Sequence, residues 1–208
     1  QTQVSTVEPY FHRFMERFPT VEKLASSSLD EVLQMWSGLG YYARARNIHR
    51  SAQLIMKQHK GELPTDYESL LNLPGVGKST TGAILSLSGI EPKPILDGNV
   101  KRVLSRFFGV KGWSGESKVS KELWDLSTNS TPTDNFQVYT QGIMDLGATI
   151  CLPRNPNCSI CPIQSRCYAY QNHLVDEIPS KKPQKKKRTE SKYFLMIVFD
   201  RNKLFLER

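Results

Sequence analysis

The chain has 208 residues, 38% hydrophobic and 23% charged, which suits a folded protein with its own core and excludes a fibrous or low-complexity chain. The longest apolar run, residues 194–199, is far too short to cross a bilayer, so no membrane partner is expected. The formal charge of +8 concentrates polyanions near the surface and makes nucleic acid the first partner to consider, although a lysine run near the C-terminus inflates the total.

The opening Gln1-Thr2-Gln3-Val4 has neither an initiator Met nor a leader-like charge pattern, and the end falls within an alternating apolar stretch; a piece of a longer protein is expected. Ser28 and Glu31 form a capping box ahead of Val32, Leu33 and Trp36, and Gly38 and Gly40 stop that helix. Residues 42–59 follow with Ala45, Ile48, Ala52, Ile55 and Met56 at helical spacing. Thr65 and Glu68 form a second capping box that opens a short helix through Leu70, Leu71 and Leu73. A turn at 74–77 leads into a helix over 79–88, and Asp97 stands where a helix over 98–107 begins. Helices around 118–127 and 135–147 complete the helical part. Residues 181–188 read as a basic linker, with nonspecific phosphate attraction as a lesser role. Beyond them 193–198 and 203–206 flank Asp200-Arg201-Asn202 as a β-hairpin would.

Four cysteines, Cys151, Cys158, Cys161 and Cys167, are spaced C-x6-C-x2-C-x5-C. Thiolates are soft ligands, and four of them suit iron–sulfur or zinc chemistry. Only one pair has the tight spacing of a zinc site, so iron–sulfur is favoured, and nothing suggests secretion and disulfides. Arg154 and Arg166 within the loop offer positive charge, unless the centre only staples a loop with little core. The turn Leu73-Pro74-Gly75-Val76-Gly77-Lys78-Ser79 lets backbone N–H groups meet a phosphate at the start of a helix, with room for a monovalent cation at its carbonyls. The plainer alternative is a helix–helix turn with glycines for packing. Asp97 taken alone reads as an N-cap.

The hairpin, the cysteine loop and Asp97 together resemble the helix-hairpin-helix DNA glycosylases that carry a [4Fe–4S] cluster. Residues 38–47 (GLGYYARARN), residues 95–103 and the cysteine spacing resemble the adenine-DNA glycosylase (MutY) family over essentially the whole chain. The resemblance implies a mainly α fold: a six-helix domain over 1–95 with the hairpin at 73–79, a cluster domain with the catalytic Asp over 96–175, a basic linker over 176–191, and the first strands of a Nudix-like domain over 192–208. It implies hydrolysis of the N-glycosidic bond of adenine opposite 8-oxoguanine or guanine in double-stranded DNA, by a monomer. The compartment would be the bacterial cytoplasm (nucleoid) or, in a eukaryote, the nucleus or mitochondrion.

By the same resemblance Asp97 stabilises the charged transition state and Asn99 supports it. Ser79 stands where bifunctional relatives carry the lyase Lys, so strand cleavage through a Schiff base is not expected; Lys78, one residue earlier, points elsewhere on the helix. Gln1, Thr2, Leu39, Tyr41, Gly75, Val76, Gly77 and Lys78 are the implied DNA contacts, with Tyr41 a stacking wedge or else a core aromatic. The family's general-acid Glu falls a few residues ahead of Gln1, and Glu8 does not replace it, so the stretch as it stands is expected to bind cluster and DNA but to excise adenine poorly. Two other classes compete: a cluster-bearing glycosylase for mismatched thymine or uracil or for oxidised pyrimidines, and a noncatalytic DNA-binding module.

Overall fold

A computed structural model describes residues 4–183 together with the strand residues 199–200 and 203–204. Two helices precede the first one expected from the sequence: α1 (Val4–Arg17) and α2 (Val21–Ser26). Pro9 lies inside α1 and argues locally for a break, but packing overrides it. The Phe14 ring meets Phe18 and Trp36 edge-on, with centroids 5.0 and 6.0 Å away, so aromatic burial holds the helix in place.

Helix α3 (Leu29–Trp36) begins at the expected capping box: Ser28 Oγ accepts from the Glu31 N–H at 3.2 Å and the Glu31 carboxylate accepts from the Ser28 N–H at 3.1 Å. Helix α4 (Ala43–Gln58) lays Ala45 and Ala52 against Phe18, Leu24 and Val32 to form the first core. Helix α5 (Tyr67–Leu71) corrects the second box: the cap is Asp66, not Thr65, because the Asp66 carboxylate reaches the Ser69 N–H at 2.9 Å. A second core joins Ile55, Leu70, Leu73 and Leu85, the last from helix α6 (Lys78–Leu87).

Helices α7 (Gly98–Phe108), α8 (Ser117–Ser130) and α9 (Phe136–Asp145) enclose the third core around Val100, Val103, Leu104, Leu123 and Ile143. The α7 pattern runs one residue past the expected span and stops at Gly109, whose φ of +75° suits a left-handed C-cap. The last expected helix does not continue to residue 147 as a regular α-helix. It ends at Asp145 and widens into a π turn, Leu146–Ile150, which delivers Cys151.

After Cys151 come two single 3₁₀ turns, Cys158–Ile160 and Gln164–Arg166, and the short helix α10 (Tyr168–Gln171). Residues 175–180 then dock back: Ile178 is buried, and Ser180 N–H donates to the Gly112 carbonyl at 3.2 Å. Strands β1 (Phe199–Asp200) and β2 (Lys203–Leu204) pair antiparallel, Phe199 opposite Leu204; a hairpin forms as expected, but Asp200, expected in the turn, stands in the first strand because it pairs with Lys203. The rest of the basic run and of the expected hairpin strands lies outside the described residues, as do Gln1 and Thr2. Among the described residues no helix is long and apolar enough to cross a membrane.

Candidate active site and metal centre

The hairpin is braced from below by α4. Leu70 and Leu73 anchor its first arm in the core, and Ser51 Oγ donates to the Pro74 carbonyl at 3.1 Å. Gly75 has φ +79°, and a Cβ there would stand 2.6 Å from Asn47 Nδ2, so both backbone strain and a polar neighbour demand glycine. Gly77 precedes α6 as an N-cap with no side-chain cap hydrogen bond, which leaves the first α6 amides uncapped from that position. Lys78 turns its ammonium onto Trp124 of α8, 4.2 Å from the ring centroid. Val76 packs against the second core.

Facing outward in the loop before α4, Tyr41 is 82% exposed with φ +51°, which removes the core-aromatic reading of this residue. Its ring lies 5.4 Å from the Arg44 guanidinium, which also reaches Trp36. Leu39 points the other way and lines an apolar cavity with Phe14, Met35 and Trp36.

Ser79 and Asp97 meet through the backbone. The Leu96 N–H donates to Ser79 Oγ at 2.9 Å, one residue before Asp97. The whole segment ahead of Asp97 is gripped by small side chains. Ser86 Oγ accepts from the Lys93 N–H and donates to the Lys93 carbonyl, both at 2.9 Å, Gly82 makes room for the Pro94 carbonyl, and Ser127 Oγ donates to the Ile95 carbonyl at 2.7 Å. Asp97 Oδ1 accepts from the Val100 N–H at 2.8 Å, so this carboxylate caps α7 whatever else it does. Asn99 is bonded to neither Asp97 carboxylate oxygen here; its Oδ1 accepts from Arg102 Nη2 at 2.9 Å. Gly147 of the π turn crosses close above, where a Cβ would stand 2.7 Å from that of Asn99.

Arg102 ties this region to the cysteine loop. Its Nη2 donates to the Gly147 carbonyl and its Nε to the Cys151 carbonyl, each at 2.6 Å. Burial pulls its pKa below the usual guanidinium range; the nearby Cys151 opposes that and Arg106 adds to it. Arg102, Ser86, Ser127 and Gly147 are structural partners of the site that sequence reasoning missed. Their one sequence signal is weak: Asn99, Arg102 and Arg106 are spaced to share a face of α7, a pattern that ordinarily marks a solvated basic stripe.

All four cysteines line one cavity, with Val103, Phe107, Leu146, Ile150 and Ile163 as its apolar wall. The four thiols are brought together from Cys151 after the π turn and from the two 3₁₀ turns and the start of α10 that follow it. Four thiolates are the soft donors that an iron–sulfur cluster takes from a protein. The donor set fits an iron–sulfur cluster. Without metal, burial first and then the neighbouring Cys151 push the Cys158 thiol up; burial does the same to Cys161, so metal loading releases protons.

A family profile described as HhH-GPD superfamily base excision DNA repair protein matches residues 1–128. The chain belongs to that superfamily. A second profile, the iron–sulfur binding domain of endonuclease III, matches residues 151–167 of this HhH-GPD chain, the whole cysteine loop, and the [4Fe–4S] cluster is the family's cofactor. An adenine DNA glycosylase of Buchnera aphidicola subsp. Schizaphis graminum is 44% identical over all 208 residues of the HhH-GPD chain. The chain spans 60% of the length of that relative. A thermostable thymine-DNA glycosylase matches with TM-score 0.72 at 27% identity, covering 82% of this chain and 79% of that one. A non-covalent endonuclease III–DNA complex matches the fold with TM-score 0.71 at 24% identity, over 83% of this chain and 79% of that one.

Proposed function

We propose that this chain is the glycosylase part of a monofunctional adenine-DNA glycosylase, hydrolysing the N-glycosidic bond of adenine opposite 8-oxoguanine or guanine in duplex DNA. The observation that carries the reading is the Ser79–Leu96–Asp97 arrangement. A hydroxyl, already engaged by the Leu96 amide, stands where a lyase would need a free amine, and the carboxylate follows at the next residue. The adenine DNA glycosylase relative supports adenine as the base.

The chemistry then runs as follows. The hairpin amides after Gly77 and the turn at Gly75–Val76–Gly77 hold a backbone phosphate, with room for a monovalent cation at the turn carbonyls. Tyr41, exposed at the tip of its loop, stacks at the mispair while the adenine is flipped out. The C1′–N9 bond breaks with its electron pair going to the base, which takes a proton. Positive charge grows on the deoxyribose ring, and Asp97 stabilises it from a fixed position. Water adds to C1′ and loses its proton, leaving an abasic site. The resemblance assigns the acid that protonates the base to a Glu ahead of Gln1. Asn99, held by Arg102, keeps the first turn of α7 in register beneath Asp97.

Cys151, Cys158, Cys161 and Cys167 are the proposed ligands of the cluster. When bound, the cluster supplies a crosslink that ties four points of the loop together. The division into a six-helix unit over 1–95, a cluster unit over 96–175, a linker over 176–191 and a Nudix-like unit from 192 belongs to the same reading, as does a monomer working in the compartment that holds the DNA.

Single-turnover excision tests the proposal, using the chain carried to the full length of its relatives and duplexes with A opposite 8-oxoguanine. Asp97→Asn is expected to lower the rate on the order of 10²–10³-fold, as for loss of one preorganised transition-state group. An unchanged rate removes Asp97 from the mechanism. The thymine-DNA glycosylase likeness favours a second reading, a mismatch thymine enzyme. Faster release of T from T·G than of A from A·8-oxoguanine would establish that reading instead.

A further inference from the structure

Arg106 is the one arginine on α7 that is fully enclosed, with 3% of its surface exposed. Its Nε donates to the Val175 and Ile178 carbonyls at 3.1 and 2.9 Å, and its Nη1 to the Leu152 carbonyl at 2.7 Å. These neutral acceptors satisfy its hydrogen bonds without neutralising its charge. Among the described residues the ion pairs join Arg17 to Glu31 and Lys93 to Glu91, and no carboxylate pairs with Arg106. A buried guanidinium without an anion is strongly disfavoured, and the neighbouring Arg102 worsens the balance.

The anion that Arg106 faces is the thiol set. Nη1 lies 3.3 Å from Cys151 Sγ, the side chain lines the cavity shared by all four cysteines, and the Arg106 carbonyl accepts from the Cys167 thiol at 3.5 Å. Four thiolates outweigh the positive charge of an iron–sulfur core, so the loaded site is a net anion beside a cation that lacks one. We propose that Arg106 is the resident counter-ion of the cluster. It stabilises the more negative, reduced cluster most, and so raises the reduction potential while favouring assembly. The inference rests on the four-cysteine ligation proposed above.

The alternative is that Arg106 is only a staple between α7, Leu152 and residues 175–178. Arg106→Met keeps much of the side-chain volume and removes charge and donors; Arg106→Lys keeps the charge and loses the fork. Iron and acid-labile sulfide content, helix content, and the potential of the protein on an electrode are measured for the wild-type holoprotein and both variants.

If both variants hold cluster, Arg106→Met is expected to shift the potential negative by at least a tenfold change in the redox equilibrium, about 59 mV for one electron. Arg106→Lys is expected to shift it less. An unshifted Arg106→Met overturns the proposal, and so do equal shifts in the two variants. If Arg106→Met cannot hold cluster, Arg106→Lys is expected to retain several-fold more iron; equal loss in both overturns the counter-ion role. A folded wild-type protein that takes up no iron and sulfide would sink the ligand assignment instead, a different failure.

Discussion

The hairpin and the cysteine loop do comparable positioning work with opposite means. The turn at 74–77 is flanked by Leu70, Leu73 and Leu85, each at most 5% exposed, and its backbone is fixed by a positive φ that only glycine adopts easily. The loop at 151–167 has no buried residue at all. Its shape is set by turn hydrogen bonds, by two arginines reaching in from α7, and by four thiols around a shared cavity. One half is held by apolar burial, which needs nothing added. The other carries so little core that it depends on polar ties and on what the thiols bind.

The largest break of that contrast comes from Cys158→Ala. Hydrogen exchange across 151–167 should rise toward the unprotected limit while amides of α4 and α6 keep their protection. Protection lost equally in both halves would mean that the hairpin depends on the cluster too. Leu85→Ala should do the reverse. The side chain is fully buried in the hairpin core, and its loss is expected to cost about 2–5 kcal/mol in urea unfolding while iron content stays constant. Gly75→Ala sharpens the local claim. Forcing an L-residue into the left-handed region costs about 1–2 kcal/mol, and the new methyl would press on Asn47, so both stability and affinity for duplex DNA should fall. Tyr41→Ala is the smallest in stability, within about 0.5 kcal/mol because the side chain is exposed. Its affinity for mispaired duplex should still drop by about 1–3 kcal/mol if the ring stacks on a base, read by titration at fixed salt.

The features legible in the sequence were those whose meaning is local. Ser28 with Glu31, Gly75 with Gly77, and Asp97 ahead of an apolar helix lie within a few residues of what they act on, and the cysteine loop is itself one short segment. Even there one residue shifted: Thr65 and Asp66 can both cap, and only the folded turn chose Asp66. Helix α1 was hidden because Pro9 speaks against it locally, while Phe18 and Trp36, which hold it, come later in the chain. Tyr41 was ambiguous because the same ring suits a core or a stack, and its exposure is a property of the loop's path.

By itself the sequence determined a mainly helical, basic chain with a glycine turn between two helices, a capping carboxylate and a four-cysteine loop. Only the tertiary structure decided how these parts reach one another. Ser127 finds the Ile95 carbonyl 32 positions away, and Arg102 and Arg106 cross 45 to 72 positions to the π turn, the cysteines and Ile178. A polar side chain carries no local mark of a distant partner. Burial in the folded state makes that partner obligatory, because an arginine shut away from water must find acceptors wherever the chain brings them.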